Sequence, residues 1–115
     1  MAYTVSNEAL KLNATASLFQ GQAYGDDLPV SVFQVASVPG GGPSLHVHPY
    51  PEVFVLHRGE ATFTVGDETL KVSAGHVVVA PANTPHKFKN TGDEPLLLFS
   101  VHPNKEVIQE GLEND

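Results

Sequence analysis

The sequence predicts an all-β fold, either a sandwich or a barrel, built as one domain over residues 1–115. Short segments rich in Val, Phe and Thr alternate with turn signals at close intervals, which is typical of such folds. No segment between them shows helical periodicity over the length of a packed helix, and this disfavours an α/β fold. A chain of 115 residues is long enough to form a core without covalent cross-links.

The first third of the chain contains three candidate strands. We predict extended structure at 3–5 and at 14–24, where Gly21 and Gly25 act as breakers, with a short amphipathic segment at 7–12 between them. The segment 29–38 is a clear strand because it is rich in Val and Phe. We expect its even-numbered side chains to face inward, which would make Gln34 a polar group in a mostly apolar lining.

Prolines and glycines divide the rest of the chain into short strands. Pro49 and Pro51 cannot donate to a strand ladder, so they separate one strand from the next. The Gly66-Asp67 pair suits a two-residue hairpin. These signals predict strands at 46–48, 52–58, 61–65, 68–72, 76–80, 86–90 and 95–102, followed by a short helix at 104–112.

Composition argues against several classes of function. Six Lys and Arg residues against thirteen Asp and Glu residues give a net charge of −7, so neither nucleic acid nor an anionic membrane is an expected partner. The chain has no cysteine, which rules out disulfides and thiolate metal sites. We find neither a secretory signal nor an apolar stretch of about 20 residues, the length of a membrane helix, and we expect a cytoplasmic protein.

Three side chains with metal-binding groups occupy even positions in the segment 40–59. Side chains alternate faces along a strand, so His46, His48 and Glu52 would point to one side of a sheet. Two neutral imidazoles and one carboxylate that converge form a partial shell for a divalent metal, and such a set is a recognised site for non-haem iron. Glu52 is also our candidate catalytic residue.

A second stretch, 75–90, supplies His86 as a further ligand candidate in a strand-like setting. Together the two stretches resemble the two signature motifs of the cupin superfamily. The first motif is matched without a gap by Gly40, His46, His48, Glu52 and Gly59. The second is matched by Gly75, Pro81, His86 and Asn90. Asn83 stands where the family has glycine, and Asn tolerates a positive φ better than other non-glycine residues.

The resemblance implies a double-sheet jelly roll, a double-stranded β-helix, with a metal bound by His46, His48, Glu52 and His86. Histidine and carboxylate ligands suit several divalent transition metals, so Fe, Mn, Ni, Zn and Cu all stay open. Four protein ligands on an octahedral ion leave two positions free, and open positions distinguish a catalytic site from a closed structural one.

Six further side chains are predicted to line the pocket: Gln34, Tyr50, Phe54, Leu56, Phe88 and His102. Most of them have even numbers, as the ligands do, and should therefore lie on the same face of their strands as the ligands. Tyr50 instead lies between two ligands, at the expected mouth of the pocket. His102 ends the last strand, which commonly lines the pocket in cupins, and is a candidate acid or base. His57 and His76 lie outside the motifs, and we expect them to face outward or to be hydrogen-bonded.

Three functions fit such a site. The first is a small metal-dependent dioxygenase, an oxidoreductase acting on a compact organic substrate such as an aromatic compound or a diketone. The second is a metal enzyme that does not use oxygen, an isomerase, cyclase or decarboxylase, in which the metal acts as a Lewis acid. The third is a module that binds a metal and a small ligand without catalysis, and fold alone does not decide among them.

We expect a small molecule and a second copy of the chain as partners. A jelly roll leaves sheet edges that must be covered or paired. Val53 and Val55, together with the predicted N-terminal strand, are the candidate interface of a homodimer.

Overall fold

The computed structural model describes residues 2–25 and 27–113 and confirms an all-β jelly roll. Its strands are β1 (Ala16–Gln20), β2 (Ser31–Ser37), β3 (His46–Val47), β4 (Glu52–Arg58), β5 (Glu60–Val65), β6 (Glu68–Ser73), β7 (Val77–Ala80), β8 (His86–Asn90), β9 (Leu96–His102) and β10 (Glu110–Gly111). A 3-10 helix, Gly21–Tyr24, follows β1. Within the described residues, no helix is long and apolar enough to cross a membrane.

Two antiparallel five-stranded sheets face each other. The first has the strand order β1-β2-β9-β4-β7, and the second has the order β10-β3-β8-β5-β6. Buried and more exposed side chains alternate along β4, β5, β8 and β9, as expected for strands with one face on a core. The space between the sheets therefore receives every second side chain of these strands.

The interior is apolar toward one end and polar toward the other. Phe63 is fully buried in the apolar part, where its ring lies 5.0 Å from that of Phe54 and 5.4 Å from that of Phe88. The inward rows of the strands become polar in the other direction. Along β4 the row runs from Leu56 through Phe54 to the buried Glu52. The polar end of this interior holds the candidate site.

The turn glycines of the motifs have the backbone conformations that the motifs predict. Gly59 has φ 85° and its backbone lies against Pro95, so close that an added Cβ would meet the Pro95 carbonyl at 2.8 Å. Asn83 has φ 59° and is the non-glycine residue with positive φ in the described chain. Its N–H donates to the carbonyl of His48 at 2.8 Å. The replacement of glycine by Asn83 therefore preserves the turn.

One local prediction near the N-terminus is wrong, and a second holds in part, since the strand ends just before the predicted breaker Gly21. Residues 3–5 form no strand, and the predicted strand 14–24 ends at Gln20. The chain turns at Gly21 because its N–H donates to the Val30 carbonyl at 2.9 Å. A Cβ at Gly21 would lie 2.0 Å from the carbonyl oxygen of Leu28, so this close approach requires glycine.

The C-terminal segment 104–112 is not the predicted helix. It crosses the molecule as an irregular strap and ends in β10, which pairs with β3. The strap is held by a hydrogen bond from Val107 N–H to Gln20 Oε1 at 2.9 Å and by one from Leu112 N–H to the Leu45 carbonyl at 2.9 Å. Without β10, β3 would be the edge strand of its sheet and would leave backbone groups unpaired, which favours an extended tail over a helix.

The inward face of β2 is opposite to the one predicted. Its inward residues have odd numbers, and they begin and end with the buried Ser31 and Ser37. Ser31 Oγ donates to the Asn104 carbonyl at 2.9 Å, so this buried hydroxyl is satisfied. Gln34 is exposed on the outer face and exchanges hydrogen bonds with the side chain of Asn7. Its predicted place in the pocket is therefore wrong.

Candidate metal centre

Four buried side chains meet at the polar end of the interior. His46 on β3 is paired in register with His86 on β8, Glu52 begins β4, and His48 follows β3 directly. One ligand atom from each of these residues lies within 4.8 Å of every other. The structure thus brings together all four of the side chains that the sequence predicts as metal ligands.

The three histidine rings are fixed in one orientation by backbone carbonyls. The Nδ1–H groups of His46, His48 and His86 donate to the carbonyls of Ser44 at 2.7 Å, Ile108 at 2.8 Å and Thr84 at 2.9 Å. A carbonyl can only accept, so the hydrogen of each neutral ring lies on Nδ1 and the Nε2 lone pair faces the cluster. Histidines that bind metals are typically held in this way.

Hydrogen-bond acceptors face one another at the centre of the cluster, with no hydrogen between them when the rings are neutral. Glu52 Oε1 lies 3.0 Å from Nε2 of His48 and 3.0 Å from Nε2 of His86. With both rings hydrogenated on Nδ1, these contacts would join lone pairs to a carboxylate. An additional proton or a metal cation relieves that repulsion. The donor set therefore fits a divalent ion bound by three imidazole nitrogens and one carboxylate oxygen.

Electrostatics favour an ionised carboxylate and a neutral His46. Burial alone would raise the pKa of Glu52, but its contacts with His102, His48 and His86 outweigh burial and hold that pKa far below its usual range. Burial lowers the pKa of His46. Burial also acts to lower the pKa of His86, but the contact with Glu52 and the hydrogen bond to Thr84 raise it overall.

His102 lies against the outer oxygen of the same carboxylate. Its Nε2 is 3.0 Å from Glu52 Oε2, although the ring is turned so that this contact lacks hydrogen-bond geometry. Its Nδ1 lies 2.8 Å from the Tyr50 hydroxyl, which also accepts a hydrogen bond from Ile108 N–H at 3.1 Å. Burial raises the pKa of Tyr50, so its hydroxyl keeps a hydrogen to donate. We assign that hydrogen to the bond with His102 Nδ1, which places the hydrogen of a neutral His102 ring on Nε2, the atom 3.0 Å from Glu52 Oε2.

A cavity of about 310 Å³ opens beside the cluster. His46, Glu52 and His102 line it, together with the predicted pocket residues Phe54 and Phe88. Leu56, which was also predicted to line the pocket, is 1% exposed and belongs to the core. Tyr50, which was also predicted as a pocket residue, is half-buried and does not line this cavity; its ring is stacked parallel to that of His48 at 5.2 Å.

Sequence reasoning missed several contributors to the site. The cavity walls include Phe33 and Val35, which follow from the odd parity of β2. Ile108 holds two site side chains through its peptide groups and carries no side-chain signal that a motif could contain. His57 and His76, predicted to lie outside the site, are exposed away from it.

The family model of the cupin domain matches residues 33–102, which include all four candidate ligands and His102. A protein of Streptomyces coelicolor, described as uncharacterized, is 38% identical over 56 residues, which are 49% of this chain and 53% of that protein. An uncharacterized protein of Methanocaldococcus jannaschii is 35% identical over 82 residues, which are 64% of this chain and 66% of that protein. The chain thus spans only about half to two thirds of the length of these relatives.

Solved structures with the same fold include oxalate decarboxylases. A mutant of the Bacillus subtilis enzyme has a TM-score of 0.76 and 24% identity over 84% of this chain and 27% of its own. The formate complex of the Lactobacillus farciminis enzyme has a TM-score of 0.77 and 26% identity over 89% of this chain and 32% of its own. The first likeness concerns the fold alone, and each match covers about a third of the decarboxylase chain or less.

Proposed function

The chain belongs to the cupin family, and from that premise we propose that it is a divalent-metal enzyme acting on a small organic molecule, in the first place a dioxygenase. One observation carries the proposal. Three buried histidines have their Nδ1 atoms bound to backbone carbonyls and their Nε2 atoms turned toward Glu52, at the wall of a cavity. A purely structural cluster would not need an open cavity beside it.

The proposed ligand atoms are Nε2 of His46, His48 and His86 and Oε1 of Glu52. A divalent ion bound there would supply Lewis acidity and, if it is redox-active, a site at which dioxygen can react. The donor set is compatible with Fe, Mn, Ni, Zn or Cu. The related Bacillus subtilis oxalate decarboxylase has Mn(II) centres.

The other residues of the chain shape the environment of that ion. Phe54 and Phe88 line the cavity next to the ligands and exclude water, which strengthens electrostatic interactions inside. Glu52 serves as ligand through Oε1, and its Oε2 lies 3.0 Å from Nε2 of His102. His102 is thus a positioning residue for the carboxylate, and it is also the side chain best placed to exchange a proton with a molecule in the cavity.

An enzyme without oxygen chemistry is the second candidate. Its support is the structural similarity to oxalate decarboxylases. The apolar cavity favours the dioxygenase, because an apolar approach admits a diatomic gas as well as a compact organic substrate. A module that only binds metal and ligand is the remaining alternative.

Nitric oxide distinguishes these candidates. It imitates dioxygen at ferrous iron, so we expect protein loaded anaerobically with Fe(II) to bind it and to give the spin signal of an iron-nitrosyl. Glu52→Ala should lose or distort the signal, whereas the exposed His76→Ala should keep it. Absence of the nitrosyl from iron-loaded wild type would remove the dioxygenase and leave the other two functions, which turnover without oxygen would separate.

We also propose a homodimer formed through the outer face of the first sheet. Apolar residues on that face include Val53, Val55, Val77, Val79, Phe99 and Val101. Val77 and Val79 on the edge strand β7 are 59% and 55% exposed. A contiguous exposed apolar face of this kind marks an interaction surface. The N-terminal strand proposed to join this interface does not form in the described monomer.

Sedimentation at micromolar concentration tests the dimer. Val79→Lys should shift the protein to monomer, because it places a charge in the proposed interface. The matched control is Val38→Lys, since Val38 is 60% exposed in the loop after β2 and is not one of the residues named for that face. A monomeric wild type, or dissociation by both variants, would contradict the proposal.

A further inference from the structure

No Lys or Arg side chain of the described residues lines the cavity beside the candidate metal centre. Its ionisable wall residues are His46, Glu52 and His102, all part of the site already described. The other walls are apolar, as at Phe33 and Leu98, or carry uncharged polar groups. The six Lys and Arg residues of the chain all lie in the described ranges, and none of them lines the cavity.

Charge balance then limits what the cavity can hold. A divalent ion with one carboxylate and three neutral imidazoles carries a net charge of +1. A singly charged ligand neutralises it, whereas a doubly charged ligand leaves an excess negative charge among apolar walls. An uncompensated charge in such surroundings is strongly unfavourable. The net charge of −7 on the whole chain adds to the repulsion of a dianion.

The shape of the cavity indicates where the parts of a ligand would lie. Its volume of about 310 Å³ is at the lower end for ligand pockets. The inner walls formed by Phe33, Phe54 and Leu98 suit a small apolar body. The exposed side chains of Thr15 and Gln109 form an uncharged polar rim.

We propose that this site takes a bidentate oxygen ligand that carries at most one negative charge on a small apolar body, such as an enolate or a hydroxy-ketone, and that it discriminates against dicarboxylates. This inference rests on the proposed metal site. It separates the chain from the oxalate decarboxylases of the same fold, whose substrate, as their name states, is a dicarboxylic acid.

Zn(II)-loaded protein allows a direct test, because zinc is redox-inert and oxygen chemistry does not interfere. The probes are maltol, which chelates through two oxygens as a monoanion, and oxalate. Metal content is measured first, and each affinity for the loaded protein is divided by that probe's affinity for aqueous Zn(II). We expect the ratio to be larger for maltol by at least about tenfold.

A pair of charge variants tests the physical cause. Gln109→Lys adds a cation at the rim of the cavity, whereas Gln22→Lys adds the same charge at an exposed position that does not line it. We expect Gln109→Lys to tighten oxalate binding by about three- to tenfold relative to Gln22→Lys, with a smaller effect on maltol.

The outcomes distinguish a failure of the proposed metal site from a failure of the proposed ligand class. Protein that takes up no zinc would overturn the metal site itself. Two results with zinc-loaded protein would overturn the ligand class while leaving the metal site intact. The first is an affinity ratio, protein over aqueous Zn(II), that is as large for oxalate as for maltol or larger. The second is no binding of either probe. Equal effects of Gln109→Lys and Gln22→Lys would contradict charge as the cause.

Discussion

Nδ1 of His48 donates a hydrogen bond to the carbonyl of Ile108, 2.8 Å away and sixty residues later in the chain. The N–H of Ile108 donates in turn to the Tyr50 hydroxyl at 3.1 Å. The carbonyl of Ile108 therefore orients the proposed ligand His48. Its N–H orients Tyr50, whose hydroxyl contacts His102. The C-terminal strap is part of the metal centre, although it contributes no ligand.

Removing the strap should weaken metal binding. A chain ending at Glu106 loses both contacts of Ile108, while the strands that form the apolar core remain. Loss of such supporting contacts typically costs about 10- to 100-fold in metal affinity. Metal titration of the truncated chain checks this, and a chain ending at Glu113 is the control. An unchanged dissociation constant with the strap removed would show that Ile108 does not orient the site.

His102 should support the metal through Glu52. We expect His102→Ala to weaken metal affinity by about 10- to 100-fold, because the outer carboxylate oxygen loses the ring nitrogen that lies 3.0 Å from it. His102→Gln, which can present an N–H, should recover part of the loss. The exposed His76→Ala is the matched control. If His102→Ala and His76→Ala bind metal equally well, His102 has no positioning role.

Metal binding should release protons near neutral pH. The pKa of His86 is raised above its ordinary value of 6.5 in the metal-free fold, so the ring holds a proton in the window just above that value. A metal must displace this proton, and affinity should therefore increase as pH rises through the window. Calorimetry at about pH 6.5 to 7 in buffers of different ionisation enthalpy measures the release. A binding heat independent of the buffer would contradict this expectation.

The metal-free protein should also lose stability in acid. The pKa of Glu52 is lowered from its ordinary value of 4.5, so its contribution to the free energy of unfolding is present above that value. The contribution disappears as pH falls from there toward the folded-state pKa. Urea unfolding of metal-free wild type and Glu52→Gln between neutral pH and acid measures it. The two stabilities should converge in acid, and a constant difference would refute the assignment.

Much of the site follows from the sequence, because a two-residue alternation determines which side chains share a face. That rule groups His46, His48 and Glu52 on one face, and the resemblance to the second cupin motif adds His86. It failed for β2, where apolar residues occur on both faces and the buried ends are serines. The contacts of Ile108 could not be predicted either, since a backbone group has no sequence signature and the strap depends on pairing with β3.

The turn at Asn83 should tolerate glycine and reject alanine. Asn83 has φ 59°, a conformation that costs other L-residues roughly 1–2 kcal/mol. We therefore expect Asn83→Ala to lower the free energy of unfolding by about that amount, and Asn83→Gly to leave it nearly unchanged. Chemical denaturation of the metal-free variants checks both values. Equal stability of the Ala and Gly variants would mean that the positive φ is not maintained in solution.

The metal content of one double variant tests the central claim most directly. Wild type and the exposed-histidine control His57→Ala/His76→Ala should each bind one divalent ion per chain, because neither control residue belongs to the cluster. His46→Ala/His86→Ala should bind none, since it removes two of the four ligands. Elemental analysis after metal loading and desalting gives the stoichiometry. A His46→Ala/His86→Ala protein with the metal content of wild type would contradict the assignment of this cluster as the metal centre.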